Sequence, residues 1–233
     1  MLPTCYVRFF FLNLLCLWSA LLHAQVRPGT YADSLRLTNR PPVVQLQRGL
    51  EWQTVRLDTL FGSPQNINIL RLRPRQWRLA FASAGDSLWI TSRLGREHNA
   101  TAALNGTFFS FKGGSVDHIK IDGRVFDTTR YTPGKKLEEH RQAAIVLTKD
   151  RHVLLITADG RHKNAAGFSL PELTTVLSWL GCRDAINLDG GGSTTLWLSG
   201  QPDNGVVNYP SDSKQWIHTG ERPVSNVLLV QPR

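Results

Sequence analysis

Hydrophobic positions along this chain follow a two-residue period over much of its length. From Leu50 onward, Trp52, Val55, Leu57 and Leu60 mark one strand. Ile67, Ile69, Leu70 and Leu72 mark a second, ended by Pro74, and Trp77-Arg78-Leu79-Ala80-Phe81 a third. Asp86 or Ser87 predicts the cap of a helix running to about Glu97, with Leu88, Trp89 and Leu94 on its buried side. Thr101–Leu104 then enters the core. His118–Ile121 and Arg124–Phe126 predict a hairpin about Asp122-Gly123, a strong two-residue turn signal. Residues 128–142 are charged, contain Pro133-Gly134, and read as a surface loop. Ala143–Thr148 and His152–Thr157 predict a second hairpin. Ser169-Leu170-Pro171-Glu172 is a capping box with proline in the first turn, opening a helix to Leu180 that stops at Gly181. A strand to Asn187 follows, then a long polar loop over 200–220 and a closing, central strand at Val227–Val230. Roughly nine strands and two helices predict an α+β fold: a mixed, largely antiparallel sheet core with a few helices in a single domain.

The stretch Asn187-Leu188-Asp189-Gly190-Gly191-Gly192-Ser193-Thr194-Thr195 interrupts this pattern. Three glycines are poor strand residues, because glycine loses the most backbone entropy on ordering. They suit a tight turn, or a place where backbone N–H groups approach a ligand and form an anion-binding concavity. Asn187 and Asp189 flank the turn with an amide and a carboxylate, and Ser193, Thr194 and Thr195 add hydroxyls. Two readings stand side by side: a substrate site with one acid, one amide and a cradle for a negative group, or a hairpin capped by its own Asx and Ser/Thr bonds.

Length and charge narrow the setting. The chain has 233 residues. Its first 24 read as a cleavable secretory signal: Arg8, an apolar run from Phe9 to Leu22, and a small residue at Ala24. Residues 25–48, with Pro28-Gly29 and Pro41-Pro42, read as an extended arm, and 49–233 as one domain. Cys5 and Cys16 leave with the signal, so Cys182 has no intramolecular partner and reads as a small core residue. The formal net charge of +9, or +8 once Arg8 is removed, favours an anionic partner. The basic residues are scattered and match no nucleic-acid motif. A phosphorylated glycan suits a secreted protein better.

The order of residues around the glycine turn resembles the signature of the phosphodiester glycosidase family, one member of which removes N-acetylglucosamine from a phosphodiester on mannose. Asn105-Gly106-Thr107-Phe108-Phe109, Ala158-Asp159-Gly160-Arg161, Gly167-Phe168-Ser169-Leu170-Pro171-Glu172, Val207-Asn208-Tyr209-Pro210-Ser211-Asp212 and Glu221-Arg222-Pro223-Val224-Ser225-Asn226 match in the same order. The resemblance spans about residues 60 to 231. Thr107 stands where the family usually has a second glycine, which would narrow a pocket lined by that loop. Ala158 stands where a β-branched residue is usual. The family implies the same fold class and hydrolysis of the bond between sugar C1 and a phosphate oxygen.

That chemistry assigns roles. The leaving group is a phosphate monoester, already a weak base, so a strong general acid matters less than for an ordinary glycoside. Asp189 is the candidate for the carboxylate at C1, as nucleophile or as base for water. Asp159 and Glu221 are the further catalytic candidates; Asp159-Gly160 is equally a plain turn, and Glu221 could instead hold Arg222. Arg161 and Arg222, inside family-like motifs, are the phosphate candidates, with Arg141 a weaker third. Asn105, Gly106, Asn187, Gly190, Gly191, Gly192, Ser193, Thr194 and Asn208 complete the substrate-binding set, the asparagines alternatively serving only to tie loops together. Asn99-Ala100-Thr101 and Asn105-Gly106-Thr107 also match the glycosylation acceptor pattern, and a glycan on Asn105 would obstruct the site.

No cofactor is firmly implied. The seven histidines lack close ligand spacing and zinc has no cysteine set, while Asp189 with backbone oxygens could hold Ca²⁺ or Mg²⁺. Gly-Gly-Gly-Ser is not a nucleophile elbow, which argues against Ser193 as a nucleophile. Two alternatives to the glycosidase remain: a catalytically silent glycan- or cell-wall-binding module that keeps the pocket, and a phosphoesterase that breaks P–O rather than C–O.

Overall fold

The computed structural model describes residues 29–39, 42–110, 112, 119–121, 124–127 and 143–233. The expected signal at 1–24, the Asp122-Gly123 turn and the loop 128–142 lie outside the described residues.

Among the described residues the strands form three sheets, and every strand pair is antiparallel. The larger sheet has six strands: β1 (Val44–Gln47), β2 (Leu50–Leu57), β3 (Gln65–Leu72), β9 (Val153–Ala158), β8 (Ala143–Thr148) and β10 (Cys182–Asn187), in that spatial order. The second sheet has four, in the order β11 (Leu196–Leu198), β5 (Ala102–Asn105), β12 (Asn226–Pro232) and β4 (Trp77–Ser83). The expected hairpin appears as β6 (Ile119–Ile121) and β7 (Arg124–Asp127). With helices α1 (Tyr31–Thr38), α2 (Thr91–Glu97) and α3 (Leu170–Trp179), this is the antiparallel-rich α+β architecture that the alternating pattern predicts. β12 lies between β5 and β4, central as expected.

Side-chain alternation distributes the core over the layers. Ile67 and Ile69 of β3 and Leu154 and Ile156 of β9 pack with Leu37, Leu173, Val176 and Leu177 of the helices α1 and α3. Leu70, Leu72 and Leu155 point to the opposite face and pack with Leu104, Leu196, Leu228 and Val230 of the smaller sheet. The outer face of that sheet, with Ala103, Val227 and Leu229, carries Leu94 of α2. The layers are thus helices, six-stranded sheet, four-stranded sheet, helix.

Two elements differ from expectation. Within 25–48, read as an extended arm, Tyr31–Thr38 is helical. A Thr30/Asp33 capping box starts it, and its Leu37 is buried. The second helix starts at Thr91 rather than after Asp86 or Ser87. The backbone of Trp89 exchanges hydrogen bonds with Val224 (2.9 and 2.8 Å) just after a turn at Gly85-Asp86, which keeps this segment out of the helix. Helix α3 has both halves of its expected capping box and its proline.

Candidate active site

Strand β5 ends at Asn105 and β10 at Asn187, and the glycine turn bridges from β10 to β11. Asn105 is fully buried, and its amide staples both ends of that turn. Nδ2 donates to the Asp189 carbonyl (2.6 Å), and Oδ1 accepts from the Thr195 N–H (3.0 Å). A glycan on Asn105 is incompatible with this burial. The Gly106 carbonyl accepts from the Asp189 N–H (3.1 Å). A Cβ at Gly106 would overlap the Asn226 side chain, whose Oδ1 also accepts from the Thr107 N–H (2.9 Å). The Thr107 hydroxyl accepts from Asn226 Nδ2 (3.2 Å), so the residue replacing the family's second glycine is tied to β12.

Asp189 is half-buried, and its Oδ1 accepts from the Gly190 N–H (2.9 Å). Gly191–Ser193 closes into one 3₁₀ turn, with Gly191 at φ 63°. The absence of side chains here lets two arginines approach. The Arg161 guanidinium lies 3.1 to 3.2 Å from where a Cβ on Gly191 would stand. The Arg222 guanidinium lies 2.5 to 2.7 Å from the corresponding point on Gly192. Arg161 itself has left-handed backbone (φ 59°) in a tight loop closed by reciprocal His162–Ala165 hydrogen bonds. A non-glycine residue in that conformation is held there by its surroundings. No carboxylate pairs with Arg161 among the described residues. Arg222 is paired instead: Nε donates to Asp212 Oδ1 (2.7 Å), and a terminal nitrogen bridges to the same oxygen.

The structure therefore brings Asp189, the three glycines, Arg161 and Arg222 together, with Asn105 beneath them. The hydroxyls of Ser193, Thr194 and Thr195 and Oδ1 of Asn187 are buried there without a hydrogen-bond partner among the described residues. A turn with spare hydroxyls, backbone N–H groups and two guanidiniums can bind a phosphate. A carboxylate in the same turn can act on a carbon beside it.

Other candidates are placed differently. Asn208 is fully buried and spends its amide internally, donating to Thr194 O (2.9 Å) and Asp159 Oδ1 (3.1 Å) and accepting from Leu196 N–H (2.8 Å). Asp159 is 2% exposed and takes hydrogen bonds from Asn66 Nδ2 (2.6 Å), Asn208 Nδ2 and the Tyr209 N–H (2.9 Å). Burial pushes its pKa up to about 6, against the pull of those three donors and of Arg56. Glu221 faces away toward α2, accepting from the Ser92 N–H (2.8 Å) and from Asn204 Nδ2 (3.4 Å), and burial raises its pKa as well. Arg141 lies outside the described residues. Among the described residues no three His, Cys, Asp or Glu side chains gather closely enough to hold a metal ion.

Several contributors carry no role in the sequence reading. Asp212 orients Arg222, although it stands in a family-like segment that could have singled it out. Asn66 and Arg56 come from β3 and β2, Arg56 Nε donating to Asn66 Oδ1 (3.2 Å), and nothing in their local sequence marks them. His162, Trp216, Tyr209 and His218 form a ring stack, with centroid separations of 5.0, 4.0 and 4.0 Å along that order.

No curated protein matches the chain. Solved structures share its fold. A hypothetical protein from Synechocystis superposes with a TM-score of 0.60 at 14% identity, over 84% of this chain, which spans only 64% of that one. The zebrafish N-acetylglucosamine-1-phosphodiester alpha-N-acetylglucosaminidase catalytic domain, auto-inhibited by its pro-peptide, gives 0.59 at 17% identity, over 84% of this chain and 85% of that one. Among the described residues, no helix is long and apolar enough to cross a membrane. The phosphodiester glycosidase family model matches residues 76–231, a span that runs from the start of β4 into β12 and holds the glycine turn and both arginines. The chain belongs to the phosphodiester glycosidase family.

Proposed function

We propose that this protein is a secreted or periplasmic hydrolase that cleaves the sugar C1–O bond of a sugar-1-phosphodiester in a glycan or cell-envelope polymer. The observation that carries this reading is the convergence of Arg161 and Arg222 on the glycine turn that contains Asp189. In the mechanism, the two guanidiniums and the turn's N–H groups hold the phosphate. Asp189, its Oδ1 held by the Gly190 N–H, stabilises or attacks the oxocarbenium-like C1 as the phosphate departs. The departing phosphate monoester needs little protonation, which suits a turn that has one carboxylate. The net charge, +9 for the full chain and +8 once the signal with Arg8 is removed, draws an anionic polymer to the surface.

Purified protein is assayed against a panel of sugar-1-phosphodiesters and p-nitrophenyl glycosides in ¹⁸O-labelled water. Label in the released sugar is expected. Label in the phosphate would make the protein a P–O-cleaving phosphoesterase. Binding of phosphorylated glycans with no turnover would make it a binding module.

A further inference from the structure

Asp159 lies beneath the phosphate cradle, and the reaction outlined above gives it no task. Its carboxylate is almost completely enclosed and accepts from three N–H donors: Asn66 on β3, then Asn208 and Tyr209 on the loop after β11. A carboxylate acting at C1 needs an oxygen facing substrate, and one so enclosed and so bonded does not offer it. Its connections run the other way. Asn208 passes the link on to Thr194 and Leu196, where the glycine turn ends and β11 begins. Two residues beyond Asp159, Arg161 hangs over Gly191. A second tie runs alongside: His162, next to Arg161, stacks on Trp216, Trp216 on Tyr209, and Tyr209 on His218, whose Nδ1 lies 2.7 Å from the Asn208 carbonyl. Residues 159–162 and 208–218 are thereby joined twice.

We infer that Asp159 is a positioning residue that sets the gap between the Arg161 guanidinium and the glycine turn, by fastening Asn208 and the Tyr209 amide to the segment that carries Arg161. This rests on Arg161 being a phosphate ligand. Replacing the carboxylate by an amide sets an NH₂ group against at least one N–H donor, so Asn208 or Asn66 must move, and Arg161 loses its register with Gly191.

The test is a double-mutant cycle on the full-length protein, read by titration with inorganic phosphate. Asp159→Asn is expected to weaken phosphate binding about tenfold or more, the scale of a misplaced charged contact. In an Arg161→Ala background the same change is expected to alter phosphate affinity less than about twofold, because the residue through which it acts is gone. Additive losses overturn the inference. So does unchanged phosphate affinity in folded Asp159→Asn protein, whether or not kcat falls; with kcat lost, Asp159 would be a catalytic residue. A wild-type protein that binds no phosphate overturns it too. If Asp159→Asn does not fold, Asn66→Ala replaces it in the same cycle with the same expected pattern. Intact coupling in a protein that hydrolyses no phosphodiester sinks the proposed reaction and leaves the positioning role standing. Hydrolysis without coupling does the reverse.

Discussion

Gly192→Ala separates the arginine cradle from the stability of the fold. A Cβ at position 192 would stand 2.5 Å from an Arg222 terminal nitrogen and 2.8 Å from Asp212 Oδ1, where ordinary contact begins near 3.4 Å. Gly192 is not in left-handed backbone, so alanine fits the local conformation, and both obstructing groups are the far ends of side chains. The guanidinium must then retreat by about 1 Å, a displacement able to cost on the order of 10² in rate at a reacting phosphate. The stability cost is small. The Arg222–Asp212 side chains are 27% and 35% exposed, and such a partly exposed pair contributes about 1 kcal/mol or less. Removing a glycine from the unfolded chain returns roughly 0.4–1 kcal/mol. Gly192→Ala should therefore unfold in urea near the wild-type midpoint, yet lose about 10²-fold in kcat/KM on a sugar-1-phosphodiester. Gly191→Ala is the contrast. Its φ of 63° costs the variant roughly 1–2 kcal/mol of stability, while Arg161, 3.1 Å away, has to yield only a few tenths of an ångström. Wild-type kcat/KM in Gly192→Ala would refute the reasoning, because Arg222 could then leave its place without consequence.

Asp189→Asn keeps the shape and the Gly190 N–H contact but removes the charge, and should cut kcat by at least about 10³ with little change in substrate binding; near-normal turnover would reduce Asp189 to a turn cap. Arg161→Lys and Arg222→Lys should each lose on the order of 2 kcal/mol in kcat/KM, since a point charge cannot replace a bidentate fork, and lysine variants that match wild type would place both arginines outside the reacting site. Asp159 has a folded pKa raised to about 6 from 3.8, so the stability it contributes is fully present below 3.8 and is lost as pH rises through about 6. Wild type should thus gain on Asp159→Asn in urea-unfolding free energy between pH 7 and pH 5, by about 1.3 kcal/mol, and a constant difference would contradict the raised pKa. Cys182→Ala should leave turnover within a small factor and cost about 1 kcal/mol of packing, as a thiol at the margin of the helix-side core would; a loss of orders of magnitude with the fold intact would put the thiol in the chemistry.

The period-two pattern made most strands legible, because each hairpin has one face on a core and its register is set locally, as in β8 with β9. Legibility fell where a distant partner overrode the local signal. Asp86 and Ser87 are good helix caps, but Trp89 pairs with Val224, and no window around residue 89 contains that partner. The helix Tyr31–Thr38 within 25–48 is hard to read for a different reason: prolines and arginines dominate the composition there, and the Thr30-x-x-Asp33 box that starts α1 is the weaker signal beside them.

The candidate site divides along the same line. A run of glycines announces that something comes close, and it does: two guanidiniums occupy the space that side chains at 191 and 192 would fill. Which groups arrive was legible only through the order of separate motifs, since Arg161 and Arg222 sit about thirty residues to either side of the turn. What a carboxylate does once it arrives depends on who else reaches it. Asp189 accepts from the N–H of its own neighbour, Gly190, a contact that lies within the turn's own sequence. Asp159's partners lie 93, 49 and 50 positions away, and Glu221's contact with Ser92 spans 129. All three acids lie in family-like segments, with Asp189 the first candidate and Asp159 and Glu221 the further ones. The hydrogen bonds separate them: two are committed to holding β3, α2 and the loop after β11 in place, and the one in the glycine turn lies where the arginines converge.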